Sequence, residues 1–250
     1  IQYLLSGFFI GAGTFSSLFW VAGYLGTPKD DFTVNSNYNQ EQDYYYYDSA
    51  LSLIGQGKLD EADGLLSKLI LLFSDSVYIP SAFYYKGYIY KSQKKYSDAI
   101  FMFENLISNS GYPVYEWYDI SLYELADIYR ILHKYEKSTD YYDMILYLNP
   151  EIIVKEEVKR NIFMNYYNAV YNSNDYATKY NLFVKKMEEL YNFYNNVEDF
   201  NEYKLQVSYY YAVHLLNVGN TEKANDILQY IINAGSYFSD EALTLYKQNF

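Results

Sequence analysis

One phrase recurs along this chain at intervals of roughly forty residues, and it constrains the fold more than any other feature. It reads Gly57-Lys58-Leu59-Asp60-Glu61-Ala62, then Lys94-Lys95-Tyr96-Ser97-Asp98-Ala99, then His133-Lys134-Tyr135-Glu136-Lys137-Ser138, and last Gly219-Asn220-Thr221-Glu222-Lys223-Ala224. Every copy ends on a small residue. Twelve residues earlier stands another small one (Ala50, Gly87, Ala126, Ala212), and four residues later a bulky one (Leu66, Phe103, Tyr142, Leu228). Small side chains at two fixed places let paired helices touch, and the bulky one fills the space between them. Each phrase therefore closes one helix and opens the next, and the fold class is all-α. With 12 glycines and 4 prolines in 250 residues, the composition favours long elements over turn-rich β structure.

The pattern resembles the tetratricopeptide repeat, whose helix A carries a small residue at its eighth position and an aromatic at its eleventh, and whose helix B carries alanine at its twentieth. Tyr90 and Tyr129 stand at the aromatic position, Leu53 and Leu215 keep it apolar, and Pro150 matches the proline that ends a repeat. A further copy, keyed by Asp175-Tyr176 and Phe183, is degenerate, because its small positions hold Tyr167 and Lys179. About five repeats are expected over 43–236, the fourth of them distorted. The anchors 62, 99, 138, 179 and 224 lie 37, 39, 41 and 45 residues apart, longer than the usual period of about 34. The resemblance implies a tetratricopeptide-type α-solenoid of antiparallel helix pairs. Ser239-Asp240-Glu241-Ala242-Leu243 offers an N-cap and an acidic first turn, so 237–250 is expected to form a capping helix.

In the resembled family helix A lines an inner groove, and its fifth position faces that groove. Here the fifth position holds Tyr47, Tyr84, Tyr123 and Tyr209, and the residue after each small position is Leu51, Tyr88, Asp127 and Val213. The resemblance thus implies an aromatic, lightly charged groove that takes a helix or extended segment of a partner protein. Tyrosine suits that role, since it buries a large rigid ring at low entropic cost. A chain with 36 tyrosines also packs some of them internally. Repeats that clamp a chaperone's terminal carboxylate use Lys and Asn at these groove positions, and that set is missing.

Residues Ile1–Pro28 carry no charge, and Tyr3–Leu25 is mostly apolar. A helix rising about 1.5 Å per residue crosses a hydrocarbon core of about 30 Å in some 20 residues. Residues 1–26 are therefore read as one transmembrane helix or signal anchor in contact with the lipid bilayer, the alternative being a signal peptide whose cleavage releases an extracytoplasmic adaptor. Gly7 and Gly11 form a GxxxG pair suited to close helix packing in lipid. Residues 27–42 lose periodicity and read as a polar linker. Lys29, Asp30 and Asp31 give no basic excess after the span, which puts the repeats outside the cytoplasm. Phe73-Ser74-Asp75-Ser76, followed by Pro80, Ala82 and Gly87, is similar to the inter-repeat junction of bacterial cell-envelope tetratricopeptide proteins, with Ser74 in place of the usual proline.

A net charge of −12 opposes nucleic-acid binding, which depends on neutralising phosphates with Lys and Arg. The absence of cysteine excludes disulfides and thiolate chemistry. His133 and His214 lack the i,i+4 spacing of a helical metal site, and no phosphate-binding loop or nucleophile motif occurs. No cofactor, metal or small-molecule substrate is expected. An enzyme on this scaffold would need groove carboxylates such as Glu124 and Asp127, which sit one turn apart on one helix.

Overall fold

A computed structural model describes residues 40–108, 115–149, 154–172, 178–196 and 201–250. Eleven α-helices and no strand occur among the described residues. They are α1 Gln40–Gly55, α2 Leu59–Leu72, α3 Ile79–Ser92, α4 Tyr96–Ser108, α5 Tyr115–Ile131, α6 Tyr135–Leu148, α7 Lys155–Asn172, α8 Tyr180–Asn195, α9 Glu202–Asn217, α10 Thr221–Asn233 and α11 Tyr237–Asn249. The chain divides into two compact units, 1–128 and 129–250, with the boundary inside α5. In the first unit α1 packs on α2, α2 on α3 and α3 on α4. In the second, each of α6 to α10 packs on its successor, and α9 also lies against α7 and α11.

The recurring phrase owes its form to a three-residue turn. Residues 56–58, 93–95, 132–134 and 218–220 join α1 to α2, α3 to α4, α5 to α6 and α9 to α10. The middle residue of each turn has a positive φ: Gly57 75°, Lys94 59°, His133 57° and Gly219 80°. That left-handed residue ends the helix by returning two amides to its last turn. In the first copy Lys58 N–H donates to the Leu53 carbonyl at 2.9 Å and Gly57 N–H to that of Ile54 at 2.9 Å. The same pair recurs as Lys95 to Tyr90 and Lys94 to Lys91, as Lys134 to Tyr129 and His133 to Arg130, and as Asn220 to Leu215 and Gly219 to Leu216. Glycine adopts this conformation freely. Lysine and histidine adopt it against the clash of their Cβ, so two of the four turns carry local strain.

The carbonyl that closes the turn then starts the next helix. Lys58, Lys95, Lys134 and Asn220 accept the amides of Ala62, Ala99, Ser138 and Ala224, so the small residue is the fourth of each new helix. All four are fully buried, as are Leu66, Phe103, Tyr142 and Leu228 one turn on. The space is tight. A Cβ on Gly87 would come within 2.7 Å of the Phe103 ring.

The fourth pair, α7 and α8, differs from the expected register. Seven residues instead of three separate its two helices in the sequence. The fourth residue of α8 is therefore Phe183, not Lys179, and Met187 one turn later is fully buried. Lys179 is exposed, and its ammonium pairs with Glu136. Tyr167 does not hold the close-contact position either: Ala169 does, in a buried cluster with Tyr135 and Phe183. The fourth residues of the second helices thus stand at 62, 99, 138, 183 and 224, and in the fourth pair the large ring of Phe183 takes the place of the small residue, beside the small Ala169.

One boundary and one cap also differ from expectation. Helix α1 begins at Gln40, inside the expected linker, and α11 begins at Tyr237 with Ser236 as its N-cap instead of Ser239. Ser239 completes that cap by accepting the Ser236 amide at 2.8 Å on its hydroxyl. The expected transmembrane helix, Gly7, Gly11, the linker as far as residue 39, Pro150 and Asp175-Tyr176 lie outside the described residues. No helix among the described residues is long and apolar enough to cross a membrane.

Candidate protein-binding face

Helix A of each pair carries the residues expected to meet a partner, and the first unit shows how they are arranged. Tyr47 is half-buried, with its ring stacked on Tyr78 at 4.7 Å and 15°. Tyr78 also meets Tyr44 at 6.0 Å, and Tyr47 meets Tyr85 at 6.3 Å. Tyr85 in turn packs edge-on against Trp117 at 5.7 Å. Tyr44, Tyr78, Tyr47, Tyr85 and Trp117 therefore form one run of rings along α1, α3 and α5. Tyr44 keeps half its surface open, while Tyr78, Tyr85 and Trp117 are half-buried. Burial pushes the Tyr47 and Tyr85 hydroxyls above the usual phenol range, so both stay protonated donors.

Two of the expected groove tyrosines do not belong to an open face. Tyr84 is 1% exposed, because its ring is enclosed by Trp117 at 5.0 Å, Tyr85 at 5.3 Å and Phe103 at 5.9 Å. Its hydroxyl is buried without a hydrogen-bond partner among the described residues, and burial raises its pKa well above the usual value. Tyr88 is also buried. Leu51 and Tyr123 are half-buried, Leu51 against the core around Ala50. Sequence reasoning missed Tyr44, Tyr78, Tyr85 and Trp117. Tyr44 carried a signal, since it stands one turn before Tyr47 on the same face.

Beyond the rings, charge closes the array. The Lys91 ammonium lies 2.6 Å from a Glu124 carboxylate oxygen and 2.5 Å from one of Asp127. Burial alone would lower the Lys91 pKa, but the two carboxylates outweigh it and hold the pKa above the usual value. Asp127 and Glu124 thus serve as the counter-charges of one lysine that ties α3 to α5. This occupies the carboxylates that an enzymatic reading would need.

In the second unit Tyr209 and Val213 are half-buried on α9. Tyr209 packs on Tyr210 at 5.4 Å and Phe238 at 6.0 Å, and it borders a hollow between α9 and α11. The histidines have separate surroundings. His133 sits exposed in its turn, its Nδ1 2.8 Å from the Tyr135 hydroxyl. His214 is buried, its Nδ1 2.5 Å from the Tyr171 hydroxyl and its ring stacked on Tyr211, and burial lowers its pKa. Among the described residues no group of three His, Cys, Asp or Glu side chains could hold a metal ion.

Comparison with known proteins agrees with the fold. The tetratricopeptide repeat family matches at residues 81–111, a stretch that begins two residues into α3 and includes α4. A tetratricopeptide repeat protein from Parabacteroides merdae superposes with a TM-score of 0.59 at 15% identity, over 81% of this chain and 71% of that one. YrrB, described as a tetratricopeptide repeat protein with an unusual peptide-binding site, gives 0.56 at 18% identity, over 84% and 94%. MamA gives 0.53 at 14%, over 79% and 95%. No curated protein matches the chain. Left-handed turns in phase, buried small anchors, a matched repeat at 81–111 and these superpositions converge on one fold: the described residues form helix pairs of the tetratricopeptide-repeat type.

Proposed function

We propose that this protein is a membrane-tethered scaffold that holds other proteins of a membrane or cell-envelope assembly through the aromatic helix-A face of its first unit. The observation that carries the reading is the run of rings from Tyr44 to Trp117, which presents partly open aromatic surface on three successive A helices. Interfaces concentrate their energy in such rings. YrrB, with its peptide-binding site, lends support from a shared fold. The tether is the uncharged stretch Tyr3–Leu25, with the repeats outside the cytoplasm, and the likeness of the 73–87 segment to cell-envelope repeat proteins favours that side. A cleaved, free adaptor is the second reading, favoured by the same stretch if a peptidase removes it.

Capture of native partners by the full chain tests the face. Tyr44→Ala with Tyr47→Ala should lower affinity about a hundredfold or more, since central aromatic anchors contribute about 2 kcal/mol each, while the helical circular dichroism stays intact. Undiminished capture by a folded variant would remove this face from consideration. A carbonate wash of membranes separates tether from free adaptor: the tethered protein stays in the pellet.

A further inference from the structure

The hollow between α9 and α11 has a chemistry unlike that of the first unit's face. Its wall consists of Tyr209 on α9 and of Tyr237, Asp240, Glu241, Thr244, Leu245 and Gln248 on α11. Two rings and two carboxylates line it, and no basic side chain does. Tyr237 is three-quarters exposed, so one ring stands open beside the half-buried Tyr209. An oxygen of Glu241 is withdrawn from solvent and accepts no hydrogen bond among the described residues. The half-buried Glu241 side chain stands beside the exposed Asp240, so the wall carries two carboxylates on adjacent residues. The Glu241 charge faces Tyr209, whose hydroxyl is raised first by burial and then by that carboxylate.

We propose that this hollow seats an arginine or lysine side chain of a protein partner, its cationic head on Asp240 and Glu241 and its stem between Tyr209 and Tyr237. Charge complementarity selects the occupant. A cation meets two carboxylates and the faces of two rings, which attract it through their quadrupole, whereas an acidic segment would be repelled and a purely apolar one would bury the carboxylates without a counter-charge. The chain's charge of −12 steers basic segments toward it over longer range. This rests on the scaffold reading and adds a sequence preference to it: partners carry a basic residue flanked by apolar ones.

Saturation-transfer NMR on the full chain tests the proposal with a probe peptide, acetyl-Leu-Ala-Arg-Ala-Leu amide, and its citrulline counterpart, which keeps the shape and removes the charge. The arginine methylenes should receive saturation, the citrulline peptide should bind at least tenfold more weakly, and salt should weaken the arginine peptide. Asp240→Asn with Glu241→Gln, checked for unchanged helicity, should abolish the difference between the peptides. Equal binding of both peptides, no binding of either, or an unchanged preference in the double variant would overturn the proposal. The scaffold reading has its own readout: native capture that survives the double variant but fails with Tyr44→Ala and Tyr47→Ala would leave the aromatic face standing and this cation site refuted.

Discussion

The second helix pair, α3 with α4, and the fourth, α7 with α8, solve the same packing problem in opposite ways. In the second pair a three-residue turn fixes the phase, Gly87 makes room, and Phe103 fills that room from one turn beyond the buried Ala99. In the fourth pair seven residues separate the helices in the sequence, and a ring, Phe183, occupies the place of the small anchor beside Ala169. The three-residue turn and the small anchor go together. Where that spacing is lost, volume is made complementary by different residues, and the interior stays close-packed.

This comparison can be broken by exchanging the sizes of the two anchors. If a small fourth residue were a requirement of the family, Phe183→Ala would improve the fourth pair. The packing says the reverse: it should open a cavity and cost about 3–5 kcal/mol, as removal of a buried ring does. Ala99→Leu should cost about 1–3 kcal/mol, because the second pair has no free volume beside that anchor. Urea titrations followed by helical circular dichroism measure both, and a gain from Phe183→Ala would show that the fourth pair keeps the small-anchor packing.

The entry to the fourth pair is also polar where a core would be apolar. Asn165 is fully buried on α7, and its amide donates to the Ser138 hydroxyl at 2.9 Å and the Thr139 hydroxyl at 3.2 Å on α6. Asn165→Leu should cost about 2 kcal/mol by leaving two buried hydroxyls short of a partner. Adding Ser138→Ala and Thr139→Val should return most of that loss, since replacing both sides of a buried hydrogen bond with apolar groups is nearly neutral. A loss that persists in the triple variant would assign the cost to shape and not to the hydrogen bonds.

The sequence made the helix pairs legible because turn, anchor and filler keep fixed distances, and a fixed distance is what a single sequence displays. It could not display the phase of the fourth pair, since the phrase is missing there and only the buried Ala169, Phe183 and Met187 reveal it. Exposure was less legible. Tyr47 and Tyr209 keep part of their surface open on α1 and α9 while Tyr84 does not, and the fifth position alone does not say whether a neighbouring helix covers it. Trp117, in the first turn of α5, covers Tyr84, and that is a contact between residues 33 apart. Likewise Asp127 read as a groove residue because its partner, Lys91, stands on another helix.

The smallest expected effect concerns that covered tyrosine and contrasts it with Tyr194 in the second unit. Both rings are fully buried. The Tyr194 hydroxyl donates to the Glu156 carbonyl, whereas the Tyr84 hydroxyl has no partner among the described residues. A buried hydroxyl without a partner gives up its hydration and gains nothing in return, so its removal relieves a penalty while losing only a little dispersion. Tyr84→Phe should therefore leave stability within about 0.5 kcal/mol of the parent, or raise it slightly. Tyr194→Phe should cost about 1 kcal/mol, the usual net worth of a buried hydrogen bond. Partner capture should be unchanged by Tyr84→Phe, because an enclosed hydroxyl offers nothing to a protein docking from outside. A clear fall in capture with intact stability would instead place that hydroxyl at the interface, and it would mean that Trp117 moves aside when a partner binds.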